Sequence, residues 1–277
     1  MEHQEIPNAG HLFQAYEEEY RSKISKWYES TWLYVDSETQ KAHVYLTHFP
    51  ETCTLEALQK EGSDWPVMVF LHGKGCGSYF ENATKHTKNH PGLLRTAETM
   101  VILSPRCEWE WQETPWKWVD ELILTFLQLP GIDKRRVYLT GYSMGGMGCW
   151  ELLGRLPLGL FAVAAPGGAY VNAGEEDEWI FRMKNIAENA MGNGTKVRPY
   201  HSQWDERCLL SIQDKLWKSI EQGNHQLAAE MFQATVMKGE DHSSGFDEMY
   251  FNKKDFCDML LSHILEGDPT PLTASGR

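Results

Sequence analysis

The chain has 277 residues and a hydrophobic share of 42%, enough for the packed core of one large α/β domain. Its 26 basic and 39 acidic residues give a formal net charge of −13, which argues against a nucleic-acid-binding protein and against binding to an anionic membrane surface. No apolar run approaches the roughly 18 residues that a membrane span needs.

The N-terminal residues and the cysteines bear on where the protein is located in the cell. Residues 1–10 are polar and lack the apolar segment of a signal peptide, so a chain that begins at a native Met1 is expected to be cytoplasmic. The six cysteines are dispersed, with no C-x-x-C pair and no Cys/His cluster at zinc spacing. We therefore expect reduced thiols and no metal site, although the even number of cysteines leaves disulfides open.

Predicted strands and helices alternate along most of the chain. Residues 14–27 have apolar side chains at helical spacing and predict an amphipathic helix within an N-terminal helical extension, residues 1–30. Short apolar runs predict strands at 32–35, 42–49, 66–71, 100–103, 137–140, 161–165, 197–201 and 231–237. Helices are predicted at 119–129, 145–154, 209–222 and 255–265, with an acidic, partly helical cap insertion at 175–192.

This alternation predicts one α/β domain over residues 1–266, with a mostly parallel central sheet and helices on both faces. Residues 267–277 are rich in Gly, Pro, Ser and Thr and predict a disordered tail.

The segment around Ser143 carries the first chemical signal. Residues 141–145 match G-x-S-x-G between a predicted strand and a predicted helix of small residues, the context of a nucleophile elbow. Such a turn lifts the Ser143 hydroxyl above the sheet and directs the Met144 backbone N–H at the same space. Side chains at Gly141 or Gly145 would collide with the neighbouring strand and helix. We interpret Ser143 as a nucleophile; a structural turn is the alternative.

A serine hydroxyl needs a base and an oriented acid to become a nucleophile. In this element order the acid and then the histidine follow the serine. His242 follows the last predicted strand, whereas His225 lies at the opposite edge of the sheet and His263 in the last helix. Asp205 follows the preceding strand and is the predicted acid, with the adjacent Glu206 as the alternative.

Acyl transfer also needs two N–H donors for the developing oxyanion. The Met144 backbone is one candidate. Lys74, in the loop after the strand at 66–71, offers the other backbone N–H, and His72 is expected to brace that loop.

Aromatic residues near the predicted strand ends suggest a substrate pocket. Trp109, Trp111 and Trp116, together with Trp118, would line an acyl or aromatic pocket or pack as core, and the sequence supports both readings equally. Trp204 beside Asp205 and Tyr170 are further pocket candidates.

Several segments together resemble the α/β-hydrolase superfamily. They are residues 71–75 (LHGKG), 101–106 (VILSPR), 136–150 (RVYLTGYSMGGMGCW), 161–168 (FAVAAPGG), 200–206 (YHSQWDE) and 238–250 (KGEDHSSGFDEMY). The chain looks most like the phospholipase/carboxylesterase and dienelactone-hydrolase-like branch, which includes feruloyl-esterase-like and predicted-peptidase-like proteins. The resemblance covers roughly residues 65–265.

That branch usually carries the acid in H-G-x-x-D and the histidine in G-x-x-H. Here Ser202 replaces the glycine of the first motif. Dienelactone hydrolases proper carry a cysteine nucleophile, so Ser143 favours ester hydrolysis.

The resemblance and the residues together predict a serine carboxylic-ester hydrolase with the α/β-hydrolase fold. It is expected to act on a small to medium acyl or aromatic ester, a small-molecule substrate, without a metal or organic cofactor. A thioesterase, a peptidase and a C–C hydrolase remain open on the same scaffold, because specificity depends on the pocket. A non-catalytic binding protein with this fold is the alternative from another class.

Overall fold

The computed structural model describes residues 14–15, 30–36, 38–74, 98–107, 111, 116–169, 175–251 and 253–266. The strands in these ranges are β1 (Gln14–Ala15), β2 (Ser30–Val35), β3 (Ala42–His48), β4 (Trp65–Leu71), β5 (Val101–Pro105), β6 (Ile132–Tyr142), β7 (Val163–Gly167), β8 (Lys196–Val197), β9 (Tyr200–Ser202) and β10 (Thr235–Met237). The helices are α1 (Leu55–Leu58), α2 (Trp116–Phe126), α3 (Met144–Arg155), α4 (Glu176–Gly192), α5 (Leu210–Gly223), α6 (His225–Met231), α7 (His242–Phe251) and α8 (Lys253–Leu261).

All these strands join one sheet, antiparallel at one edge and parallel elsewhere. Their order is β1-β2-β3-β5-β4-β6-β7-β9-β10, with β8 beside β7. The pairs β1–β2, β2–β3 and β3–β5 are antiparallel, and the pairs from β5 through β4, β6, β7 and β9 to β10 are parallel. The predicted mostly parallel sheet is confirmed.

Alternation along the central strands divides the core into two layers. On β4, Val67, Val69 and Leu71 belong to one buried cluster, and Met68 and Phe70 belong to the other. Successive side chains of a strand point to opposite faces, so a strand buried on both sides reads as a continuous apolar run. Residues of α2 to α6 pack into the first cluster, and residues of α7 and α8 pack into the second. Helices therefore cover both faces of the sheet.

Four segments differ from the sequence prediction. The strand expected at 197–201 is split into β8 and β9 around Pro199, which has no backbone N–H for a strand ladder. The strand expected at 231–237 is shorter, because α6 extends to Met231 and β10 starts at Thr235. The helix α7 was not predicted, and the acidic segment expected to form a cap contains the regular helix α4.

The N-terminal prediction is tested at two residues only. Gln14–Ala15 form strand β1, paired with β2, rather than the start of a helix. Residues 16–29, which hold the rest of the expected helix, and the tail at 267–277 lie outside the described residues.

Two further expectations concern membranes and thiols. Within the described ranges, no helix combines the length and the apolar character that a membrane crossing requires. Five cysteines, at positions 53, 107, 149, 208 and 257, are buried and free. Cys76 is outside the described ranges.

The parallel strands bring the predicted site residues to one edge of the sheet. The residues that follow β4, β6, β9 and β10 all emerge from carboxyl ends, where open α/β sheets place their binding sites. These are the positions of the loop at 72–74, of Ser143, of Asp205 and of His242.

Candidate active site

Ser143 occupies a tight turn between β6 and α3. It is a non-glycine residue at positive φ, with φ 59° and ψ −122°, and its backbone N–H donates to the Gly167 carbonyl at 2.8 Å. A Cβ added at Gly141 would lie 2.6 Å from the carbonyl oxygens of both Leu71 and Gly145. The strand, the turn and the helix therefore approach so closely that only glycine fits, and the turn holds Ser143 in a backbone conformation that other residues seldom adopt.

A continuous run of hydrogen bonds joins Ser143, His242 and Asp205. The Ser143 Oγ lies 2.7 Å from His242 Nε2, and His242 Nδ1 lies 2.6 Å from Asp205 Oδ2. A carboxylate only accepts, so Nδ1–H donates to Asp205 and Nε2 is left to accept the Ser143 hydroxyl proton. This is the geometry in which an imidazole removes a proton from a serine.

The Asp205 carboxylate is buried yet well supported. Its Oδ1 accepts the backbone N–H groups of Arg207 at 3.0 Å and Cys208 at 2.8 Å. Burial by itself raises the pKa of the Asp205 carboxyl, but the hydrogen bonds from His242 and the Cys208 amide outweigh it and hold the pKa below its usual range. Asp205 is therefore ionised at neutral pH.

The neighbouring acidic residues have other partners. The Glu206 Oε2 accepts the backbone N–H of His242 at 3.2 Å. Asp241 caps α7, because its Oδ1 accepts the Ser244 N–H at 2.7 Å. Of these three acidic residues, Asp205 is the one whose carboxylate accepts from the imidazole ring.

Tyr142, Ser202 and His201 support the site, and none of the three was identified as functional from the sequence. The Tyr142 ring packs beside the His242 ring at a centroid distance of 5.2 Å. The Ser202 hydroxyl donates to the Gly239 carbonyl at 2.9 Å, which ties β9 to the loop before His242. The replacement of a usual glycine by Ser202 was the available signal for that tie.

His201 contacts the loop that carries Asp205. It is fully buried, its Nε2 lies 2.6 Å from the Cys208 carbonyl, and the same nitrogen is 3.7 Å from Asp205 Oδ2. Burial lowers the pKa of His201, so its ring is neutral at neutral pH and Nε2–H donates to the carbonyl. His201 thereby fixes the loop that carries both Asp205 and the Cys208 amide.

The two expected oxyanion donors flank the serine. Met144 is the first residue of α3, where helix N–H groups are not used by the helix itself and the helix dipole favours negative charge. Gly73 packs against the turn, since a Cβ added there would lie 3.9 Å from the Ser143 Cβ. Lys74 follows Gly73 directly in the chain, and its role as a donor stays a prediction.

The aromatic candidates occupy different environments. Trp111 is fully buried and Trp116 is nearly so, and their rings stack at 5.3 Å. Trp204, by contrast, is 65% exposed although it precedes the buried Asp205. Trp109 and Tyr170 lie outside the described residues.

One group in the described ranges has metal-ligand atoms close together. Atoms of Asp205, Cys208 and His242 all lie within 4.8 Å of one another. A metal would need a Cys208 thiolate, but burial raises the pKa of that thiol far above its usual range. The Asp205–His242 hydrogen bond also uses the carboxylate oxygen and ring nitrogen that a metal would take. The group fits the hydrogen-bonded arrangement better than a metal site.

Sequence comparison gives a partial match to a known protein. No protein-family model matches the chain. A bifunctional acetylxylan esterase/xylanase of Neocallimastix patriciarum is 29% identical over 112 residues, which is 38% of this chain and 16% of that protein. The chain thus matches about a sixth of the length of that relative.

Solved structures match over most of their length. The fluorophosphonate-binding serine hydrolase FphF of Staphylococcus aureus, in a substrate-bound structure, superposes with a TM-score of 0.62 at 15% identity, covering 83% of this chain and 97% of that one. Esterase 2 of Thermogutta terrifontis, phosphoramylated by tabun, gives a TM-score of 0.57 at 11% identity, covering 84% and 94%. Its propionate-bound structure gives 0.56 at 11% identity, covering 88% and 97%. The sheet, its flanking helices and these neighbours establish the α/β-hydrolase fold.

Proposed function

We propose that this chain is a serine hydrolase that cleaves carboxylic esters through an acyl-enzyme. The observation that carries the proposal is the hydrogen-bonded run from Asp205 through His242 to a Ser143 held at positive φ. Its partners come from loops that follow three different strands, and a purely structural role offers no reason for this convergence.

The first half of the reaction acylates the serine. The Ser143 Oγ adds to the ester carbonyl carbon while its proton passes to His242 Nε2, and the carbonyl electron pair moves to oxygen. The backbone N–H groups of Lys74 and Met144 donate to that oxyanion. When the intermediate collapses, the C–O bond to the alcohol breaks and His242 Nε2–H protonates the leaving oxygen.

The second half releases the acid. A water molecule gives its proton to His242 and adds to the acyl carbon, and the second intermediate expels Ser143, which regains its proton from the imidazole. Asp205 stays ionised throughout and stabilises the imidazolium that forms in each half.

The substrate class proposed is a small to medium acyl or aromatic ester. The similarity to part of a bifunctional acetylxylan esterase/xylanase and to an esterase with propionate bound supports short acyl groups for this chain. Among the aromatic candidates, the exposed Trp204 is the described residue with free ring surface beside the acid loop, and we assign it to substrate contact. Trp116, Trp109 and Tyr170 keep the same assignment as proposals.

The experiment compares the protein with its Ser143→Ala variant on p-nitrophenyl acetate, butyrate and octanoate. We expect hydrolysis by the parent and a loss of at least about 10⁴-fold in kcat for the variant, with an unchanged circular dichroism spectrum. Ser262→Ala is the control, because the Ser262 hydroxyl is exposed and, among the residues that the structure describes, donates to the Met259 carbonyl near the end of α8.

A fluorophosphonate probe provides the second readout. We expect one adduct per chain, mapped to Ser143 and absent from Ser143→Ala. Retained esterase activity in that variant, or an unlabelled parent protein that hydrolyses none of the esters, would overturn the proposal. Acyl-CoA and peptide substrates run in parallel separate the ester hydrolase from a thioesterase and a peptidase.

A further inference from the structure

The loop at 72–74 stands directly against the proposed nucleophile. A Cβ added at Gly73 would lie 3.5 Å from the Tyr142 carbonyl and 3.9 Å from the Ser143 Cβ. The position of the Lys74 backbone relative to Ser143 therefore depends on how firmly this loop is held. A donor to an oxyanion is effective only over a few tenths of an ångström around hydrogen-bond distance.

Residues outside the loop hold it by hydrogen bonds to His72. The Trp111 indole Nε1–H donates to the His72 carbonyl at 2.9 Å, and the Cys107 backbone N–H donates to His72 Nε2 at 3.1 Å. Because Nε2 accepts from an amide, the imidazole proton is on Nδ1, which donates to the Gly73 carbonyl at 3.0 Å. The bond from Trp111 acts on the main chain of His72 itself.

The same indole also touches the helix that begins at the nucleophile. A Cβ added at Gly148, in the second turn of α3, would lie 3.1 Å from Trp111 Cγ and 2.8 Å from a side-chain carbon of Leu71. The Trp111 ring further contacts the His72 ring, at a centroid distance of 5.1 Å. Trp111 is fully buried, and it contacts both His72, two residues before Lys74, and the α3 residue Gly148, four residues after Met144.

We propose that Trp111 is a positioning residue of the oxyanion hole, which sets the spacing between the Lys74 amide and the Met144 amide. This inference rests on the proposed function. It gives Trp111 a different role from the substrate contact expected from the sequence: the indole fixes the donors and does not meet the substrate. Its N–H acts through the His72 carbonyl, and its ring acts as a spacer against Gly148.

The test removes the indole N–H and retains an aromatic ring. We expect Trp111→Phe to lower kcat per titrated active site by about 10-fold or more, with KM within about 2-fold, since loss of a whole donor costs about 10²- to 10³-fold. The affinity of a trifluoromethyl ketone is the second readout, because Ser143 adds to the ketone carbon and the resulting oxyanion occupies the hole. Its Ki should rise by the same factor as kcat falls.

Trp217→Phe is the matched control. Trp217 is also a buried tryptophan, on α5, and within the described part of the chain its indole N–H has no hydrogen-bond partner. The same substitution there should leave kcat per site and the ketone Ki within about 2-fold of the parent. If Trp111→Phe does not fold, β-(3-benzothienyl)alanine at position 111 replaces the N–H by sulfur in a ring of nearly the same shape, and the same values are expected.

The outcomes separate the inference from the function on which it rests. Parent protein without esterase activity and without fluorophosphonate labelling overturns both. An active parent with unchanged kcat per site and unchanged ketone Ki in the position-111 variants overturns the positioning role alone. A rise in KM at constant kcat and Ki also overturns it, because that result indicates substrate contact.

Discussion

The contact between β4, β6 and α3 makes Gly141→Ala the most direct test of the elbow. The added Cβ would stand 2.6 Å from the Leu71 carbonyl oxygen and 2.6 Å from the Gly145 carbonyl oxygen. Both distances fall about 0.8 Å short of the 3.4 Å at which ordinary van der Waals contact begins. Both neighbours are backbone atoms, one in the central strand of the sheet and one in the first turn of a buried helix, so no side-chain rotation relieves the overlap.

The expected loss of folding free energy in Gly141→Ala follows from the two overlaps. Overpacking a rigid interior typically costs about 1–3 kcal/mol per site, and the clash on both sides of Gly141 places the variant at or above about 3 kcal/mol. For a chain of this size that loss corresponds to a Tm lower by roughly 5 °C or more. Relief by moving α3 would displace Ser143 and the Met144 amide, so kcat per folded molecule should also fall.

Gly192→Ala is the control for the same chemical change. A Cβ at this last residue of α4 meets nothing within 4 Å, and alanine is favoured over glycine in a helix by about 0.5–1 kcal/mol. Urea unfolding and differential scanning calorimetry measure the two stabilities, and active-site titration gives the activity per site. If Gly141→Ala melts within 2 °C of the parent and keeps its kcat, the close approach of the Leu71 and Gly145 carbonyls does not make glycine necessary at position 141.

Two further predictions concern the acid and its support. Asp205→Asn should lower kcat for p-nitrophenyl butyrate by about 10³- to 10⁴-fold, because an amide neither stabilises the imidazolium nor holds Nδ1–H. Glu206→Gln removes charge from a side chain that only accepts the His242 backbone N–H, and its kcat should stay within about 3-fold of the parent. Equal losses in the two variants would contradict the assignment of Asp205 as the acid. The free energy of unfolding should decrease on acidification, since burial lowers the pKa of His201 and hydrogen bonds hold the pKa of Asp205 below its usual range, so the unfolded chain binds more protons. The His201 contribution is present above about pH 6.5 and is lost below it, by at most about 1.4 kcal/mol per pH unit, and the Asp205 contribution is lost only below about pH 4. Urea titrations between pH 5 and 7 should therefore show that the free energy of unfolding depends less steeply on pH in His201→Gln than in the parent. Parallel curves for the two proteins would show that His201 does not change its protonation on unfolding.

The order of the chemical groups along the chain was predictable because topology constrains it. Parallel strands present their carboxyl ends at one edge, so Ser143, Asp205 and His242 had to lie in loops on the same side once the strands were placed. The choice between Asp205 and Glu206 rests on local geometry. Adjacent residues point in different directions, and here the turn after Asp205 directs the Glu206 carboxylate to the His242 main chain.

Segments whose structure depends on distant contacts were less predictable. A tryptophan such as Trp111 can line a substrate pocket or pack in the core, and its residue type does not separate the two roles. The hydrogen bond from its indole to the His72 carbonyl does separate them, and that contact is visible only in the structure. The helix α7 begins at His242 with SSGF, a weak helical signal, and is stabilised by Asp241 as its cap and by Met249 and Tyr250 in the core. Tertiary packing, rather than local propensity, determines this element.

The site consists of two parts, each held by its own contacts, and the Ser143–His242 hydrogen bond joins them. The end of β4 braces the donor part: Leu71 is close to Gly141, Gly145 and Gly148, and Trp111 joins that strand end to α3. The acid and base are braced on the other side of Ser143, where the Ser202 hydroxyl and the His201 ring fix the loops after β9 and β10.

Because Ser143–His242 is the hydrogen bond that joins the two parts, a change in either one should have its own kinetic signature. Displacing the donors weakens the binding of an oxyanion analogue in proportion to kcat, whereas removing the acid impairs proton transfer to and from His242 and leaves the donors in place. The ratio of the change in ketone affinity to the change in kcat therefore reports which part a substitution has moved, even when both substitutions reduce activity to a similar level.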